Sequence, residues 1–183
     1  MDLLGENGVA AITIIIYAQF LLNTLFIGFS IGIAPIIGFQ HGNGNTVQQK
    51  KVFSVSLRFI AAASVLVFAV SMSGGAYIVR LFADDTSEVY RIAADGFTIF
   101  SYSFLFCGLN SFTSAMIMAL SNGKVSAVLS FLRTFGLLAG GILLLPHIWG
   151  IRGVWLVVPV AEGLMFVVSA ACLVHYRKGY SYE

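Results

Sequence analysis

Residues 9–39 read VAAITIIIYAQFLLNTLFIGFSIGIAPIIGF, a run that no Asp, Glu, Lys or Arg interrupts. About 20 consecutive apolar residues carry a helix across a bilayer core, so this run is long enough to span one. It does not read as a cleaved secretory leader: it is too long, Asp2 and Glu6 stand where basic residues would be, and no small-residue cleavage site follows. Four further apolar stretches, 52–82, 92–120, 125–145 and 154–174, fill most of the remaining chain. The expectation is an all-α, polytopic transmembrane helix bundle, with residues 1–183 forming a single transmembrane domain of five spans. The 58% hydrophobic and 10% charged content agrees, soluble domains averaging about 25% charged. Mean hydropathy is +0.92, and a water-soluble fold could not hide so much apolar surface.

The connections set an orientation. HGNGNTVQQKK, residues 41–51, is basic through Lys50 and Lys51, whereas RLFADDTSEVYR, residues 80–91, balances Arg80 and Arg91 with Asp84, Asp85 and Glu88. Asp84 or Thr86 is positioned to cap the helix that follows. One side of the membrane collects Lys50, Lys51, Lys124, Arg177 and Lys178, and the other Arg80, Arg91 and Arg152. The positive-inside rule then puts the C-terminus in the cytoplasm and, after five crossings, the N-terminus outside. Arg58 and Arg133 are near enough to cytoplasmic ends to snorkel there.

Small residues at helix-contact spacing, Gly28 and Gly32, Gly136 and Gly140, and Ser71 and Gly75, predict close backbone approach, because lipid supplies little hydrophobic drive between helices. Pro35 and Pro159 each remove a backbone donor and free the carbonyl of Ile31 or Trp155, which predicts a break in the first and last spans.

Polar residues inside spans are the candidates for chemistry. Glu162 is the acid deepest in a span, roughly 15 Å from the helix start near Arg152 at 1.5 Å per residue. An ionised carboxylate at that depth costs a few kcal/mol or more, so it is expected mostly protonated, either as a proton or cation site or as a hydrogen-bond partner of the backbone freed at Pro159. Ser103, Cys107, Asn110, Ser114 and Ser121 share one helix face, as do Gln19, Asn23 and Ser30. Two such stripes either border a watery cavity or join helices by hydrogen bonds. Gln19, Asn23, Ser30, Ser103 and Ser114 are the cavity-lining candidates.

Several functions are disfavoured. His41, His147 and His175 sit at loop ends with no metal spacing, Gly42-Asn43-Gly44 lacks the Lys-Ser/Thr of a phosphate loop, and no nucleophile has a base, so no enzyme and no metal centre is expected. Cys107 and Cys172 are read as packing residues. A net charge of +2 spread over loops does not suggest nucleic acid.

The segments GFSIGIAPIIGFQHGNGN (28–45), NSFTSAMIMALSNGK (110–124) and GIRGVWLVVPVAEGL (150–164), in this order and spacing, resemble the C-terminal half of a multidrug and toxic compound extrusion (MATE) transporter. The resemblance implies two six-helix lobes around a cavity open alternately to either side, with this chain supplying five spans of the six-helix transporter lobe and the N-terminal lobe and helix seven absent. On that template the chain is a fragment, a split-gene product or a truncated gene model. The implied function is a cation-coupled antiporter, driven by protons or sodium and without a tightly bound cofactor, that exports drugs or organic cations across the cytoplasmic membrane. Its partners are membrane lipid, a small organic cation and the missing N-terminal lobe. Sodium-coupled members carry an acid in helix ten, where this chain has Asn110, which leaves Glu162 as the intramembrane acid for coupling. The alternatives are a lipid-linked sugar flippase, which would need several cavity cations where only Arg58 and Arg133 are candidates, and a membrane scaffold without transport.

The charge distribution generates a topology test. A reporter fused after Glu183 is expected to read as cytoplasmic, and cysteines introduced at Asp84 or Ser87 to react with impermeant reagents from outside; reversed labelling would contradict the charge argument.

Overall fold

The computed structural model describes residues 5–179. Helix α1 runs Gly5–Gly42 and α2 Thr46–Arg80. Then α3 (Glu88–Ser101) and α4 (Phe104–Ala119) follow, and α5 (Gly123–Phe131) continues through a π-helical stretch, Leu132–Ala139, into α6 (Gly140–Gly179). Asp2 and Glu183 lie outside the described residues, as do the side chains of Arg177 and Lys178.

The turns are built by Asn, Ser and Gly. Gly44 takes a φ of +64°, which only a residue without Cβ adopts freely, and Asn45 then caps α2 by accepting from Gln48 N–H at 3.1 Å. The cap of α3 is Ser87, which accepts from Tyr90 N–H at 3.1 Å, instead of the expected Asp84 or Thr86. Asp84 is occupied by the preceding turn, where it accepts from Thr86 N–H and from the Thr86 hydroxyl; these bonds hold its carboxyl below the usual range. Asn122 caps α5 through Val125 N–H at 3.3 Å and also donates to the Tyr176 hydroxyl at 2.6 Å, fastening this turn to the last helix.

Helices α1 and α2 are each long and apolar enough to cross a membrane. The stretch expected as a third span is two helices, α3 and α4, bent by 55°. Its break has a local cause. The Ser101 hydroxyl donates back to the Phe97 carbonyl at 2.8 Å and the next turn tightens, with Ser103 N–H bonding the Phe100 carbonyl at 2.9 Å. Phe97, Phe100 and Phe104 pack around the elbow.

The stretch Gly123–Tyr176 is helical over 54 residues, roughly 80 Å at 1.5 Å per residue and far more than one bilayer. It doubles back. Gly150 leaves helical geometry with φ 56° and ψ −134°, and a Cβ on Gly153 would collide with the Leu145 carbonyl. Contacts between Gly141 and Val157 and between Asn122 and Tyr176 lie symmetrically about that point, as in an antiparallel hairpin. The breaks expected at Pro35 and Pro159 are not where the backbone departs from helix: α1 runs through Pro35 and α6 through Pro159. Each proline forgoes one hydrogen bond, which a long packed helix absorbs, whereas the positive φ of Gly150 redirects the chain.

Helix α4 sits at the centre, packed on α1, α2, α5 and α6, with Phe104, Phe112, Asn110 and Thr113 fully enclosed. Of the glycines expected from spacing, only Gly75 permits close approach. Gly28, Gly32 and Gly140 have nothing within 4 Å of a built Cβ, and Gly136 meets only Leu132 of its own turn. Those positions face outward, because α1 turns Ala11, Ala18, Phe26 and Ser30 toward the bundle. Gly75 is a contact glycine: a Cβ built there would lie 2.9 Å from the Phe97 ring, one on Gly96 2.7 Å from Trp155, and one on Gly108 2.6 Å from Ser64 Oγ and 3.0 Å from the Phe26 ring. Gly108→Ala is therefore expected to cost about 1–3 kcal/mol by overpacking, while Gly28→Ala should gain about 0.5–1 kcal/mol of helix propensity; thermal unfolding in detergent compares the two.

Candidate functional site

The polar residues converge where α4, the π-helical stretch and the second limb of α6 meet. Asn110 and Ser111 come from the middle of α4. Arg133 extends the face that α5 buries through Ser126 and Leu129, at spacings of three and four, and lies in the first π-turn. Turns of this kind are frequent at functional sites. Glu162 comes from α6, on the other limb of the hairpin.

Their geometry is closely defined. Arg133 Nε donates to Glu162 Oε1 at 2.8 Å and its Nη2 lies 2.6 Å from the same oxygen. Its Nη1 donates to Ser111 Oγ at 3.2 Å. From the opposite side Asn110 Nδ2 donates both to Glu162 Oε2 at 2.7 Å and to the Glu162 backbone carbonyl at 3.0 Å. The Glu162 side chain is 9% exposed and that of Arg133 24%. A carboxylate removed from water is thus met by a guanidinium and an amide, the arrangement that makes a buried charge tolerable. Arg133, expected to snorkel to a cytoplasmic end, is instead brought by the hairpin to Glu162, which was expected to stand without a cation beside it.

One polar atom in the cluster is unused. Asn110 Oδ1 is buried and accepts no hydrogen bond, although an orphaned buried acceptor carries a desolvation cost.

Two of the remaining candidates join this cluster's edge. Cys107, one turn before Asn110, lies with its Sγ 3.1 Å from Asn23 Oδ1, so the polar stripes of α1 and α4 meet each other. A polar line therefore crosses the bundle from Asn23 through Cys107 and Asn110 to Glu162 and Arg133. The structure leaves the others apart. Ser30 is buried and donates to its own helix at Phe26 O, Ser103 is buried at the start of α4, Gln19 is half-buried on α1, and Ser114 contributes its backbone carbonyl to the Ser126 hydroxyl at 2.8 Å. Pro35 and Pro159 stay within continuous helix, and Arg58 is exposed. Among the described residues no three His, Cys, Asp or Glu side chains gather as for a metal ion.

Ser111 was not selected by sequence reasoning, and Arg133 was named only as a snorkelling or flippase cation and not as the partner of Glu162. A signal existed in the spacing of Ser126, Leu129 and Arg133 on one face, which aims the guanidinium inward, and in Glu162 as the acid within a neighbouring span.

Removing one partner of such a pair costs more than removing both. Arg133→Met, which strands the Glu162 charge, is expected to destabilise by about 3 kcal/mol, the low end for buried pairs because the guanidinium is partly exposed. Arg133→Met combined with Glu162→Gln should recover much of that loss. A double-mutant cycle on thermal unfolding reads the coupling.

Comparison with known proteins places the chain. The model of the MatE family matches residues 1–139. Two solved structures superpose closely: an outward-facing multidrug resistance MATE family transporter of the MOP superfamily, at TM-score 0.85 and 20% identity, and the Vibrio cholerae MATE transporter VcmN, solved as a point mutant, at TM-score 0.84 and 21% identity. The first match covers 97% of this chain and 39% of the other, the second 100% and 41%. The chain thus spans about 40% of the length of the transporters it resembles. No curated protein matches it. With the family model extending over most of its length, the chain belongs to the MatE family.

Proposed function

We propose that this chain forms part of the C-terminal lobe of a two-lobed, cation-coupled antiporter that exports organic cations across the cytoplasmic membrane, with its C-terminus in the cytoplasm. The observation that carries this reading is the Arg133–Glu162 pair held by Asn110 and Ser111 inside apolar helices. Ionisable residues in membrane spans are costly, and they mark ion or proton pathways.

Of the two coupling ions, the proton fits the chemistry better. Arg133 already places a full positive charge against Oε1, so a sodium ion at this carboxylate would meet repulsion, and Asn110 brings no second negative charge. A proton acts differently. Protonation cancels the charge that holds the guanidinium, and the new O–H needs an acceptor. After rotation of its amide, Asn110 can supply one through Oδ1, the oxygen without a hydrogen-bond partner. The cluster then has two hydrogen-bonded arrangements, one with Arg133 bound and one with Arg133 released, as a coupled switch requires.

A flippase for lipid-linked sugars is less well supported. It would gather free cations, whereas Arg133 is neutralised by Glu162 and Arg58 is exposed on α2.

The test uses the complete transporter in proteoliposomes with a fluorescent organic cation such as ethidium. Glu162→Gln removes the titrating group but retains hydrogen bonds to Asn110, and it is expected to abolish pH-gradient-driven transport while expression persists. Wild-type rate and pH dependence in that variant would remove Glu162 from the mechanism.

A further inference from the structure

A second feature lies away from the Glu162 cluster. At the end of the bundle that holds the Asn45 and Asn122 caps, α1, α2, α4 and the second limb of α6 enclose a cavity of about 360 Å³. Sites for small molecules begin at about 300 Å³. Its floor is apolar and enclosed: Ile37, Met116, Leu120 and Leu173 all line it, and none is more than 7% exposed.

Its polar lining is Gln49, Lys50, Ser54 and Tyr176, each able to donate a hydrogen bond. Gln49 is 5% exposed yet its side-chain amide forms no hydrogen bond among the described residues, although the residue lines the cavity. Tyr176 accepts from Asn122 Nδ2 at 2.6 Å, which leaves its own O–H free to donate. Lys50 lines the same space and belongs to no ion pair among the described residues. Among the described residues no acidic side chain lines the cavity. An ammonium, a phenol and an unpartnered amide lining one space suit an anionic oxygen cluster and oppose an organic cation. Lys124 at the same end adds to the attraction for anions at a membrane surface.

We propose that this cavity binds an amphiphilic anion: a phosphate or carboxylate head held by Lys50, Gln49 and Tyr176, and an apolar body about the size of one acyl chain lying on the Ile37–Leu173 floor. The site does not depend on the coupling role of Glu162, which lies outside its lining.

Binding is measured on the protein purified in neutral detergent by native mass spectrometry. The probes are palmitoyl lysophosphatidic acid, palmitate, palmitoyl lysophosphatidylcholine and chain-free glycerol phosphate. Both chain-bearing anions are expected to bind, with the zwitterion and the chain-free head weaker by about tenfold or more. A preference for the lysophosphatidic acid identifies a phosphate-headed lipid and a preference for palmitate a free carboxylate, and either result supports the site. Lys50→Gln should weaken the anions about tenfold, whereas Lys51→Gln, one residue outside the lining, should leave them unchanged. Leu57→Trp, which fills the cavity from its α2 wall, should abolish binding of both. Equal binding of anion and zwitterion, or equal effects of the two lysine variants, would overturn the proposal.

Discussion

In a bilayer the tails outside a helix are as apolar as the side chains on it, so apolar burial no longer drives helices together. Close packing and a few polar contacts must do so. This constraint explains the central place of α4. It is the helix on which Gly108, Phe104, Phe112 and Asn110 meet four neighbours, and it carries the one amide that reaches the buried carboxylate. On α1, Ile16, Phe20, Ile27 and Ile31 remain exposed without penalty because that face does not need water.

The same constraint gives the Arg133–Glu162 pair its structural weight. A carboxylate and a guanidinium in spans of this composition are tolerated only as partners, so the fold must bring residues from both limbs of the Gly123–Tyr176 hairpin into register. The bend at Gly150 sets that register, and the Asn122–Tyr176 bond fastens its open end. Local structure and site chemistry are thus linked: a different hairpin offset would strand two charges. The π-helical stretch beginning beside Arg133 coincides with the point where this register must be met.

The lobe therefore carries two environments of opposite character. Within the spans an acid is balanced by a cation and an amide, with one acceptor held in reserve at Asn110 Oδ1. At the loop end, donors and a cation surround an apolar floor. The proposed proton site and the proposed anion site thus rest on local chemistry of opposite charge preference in separate parts of the chain.

Much of the fold was legible in the chain. Uninterrupted apolar runs dictate membrane helices because backbone polar groups in lipid must bond internally, and Asn45, Ser87 and Asn122 terminate loops by local hydrogen bonds that depend on neighbouring residues. Glu162 stood out by charge and depth alone. What the chain could not disclose is which face each helix turns inward. Gly28 and Gly32 have contact spacing but look outward, while Gly96 and Gly108, without such spacing, admit Trp155 and Phe26. Likewise, proline chemistry pointed to breaks at Pro35 and Pro159, but the elbows fall at Gly150 and Ser101–Ser103, where a positive φ and a serine hydroxyl bonded back to its own helix redirect the chain. The partner of Glu162 was hidden for a different reason. Periodicity sets a residue's direction around its own helix axis, whereas a contact between Arg133 and Glu162 depends on where two axes lie relative to each other, and only tertiary packing decides that.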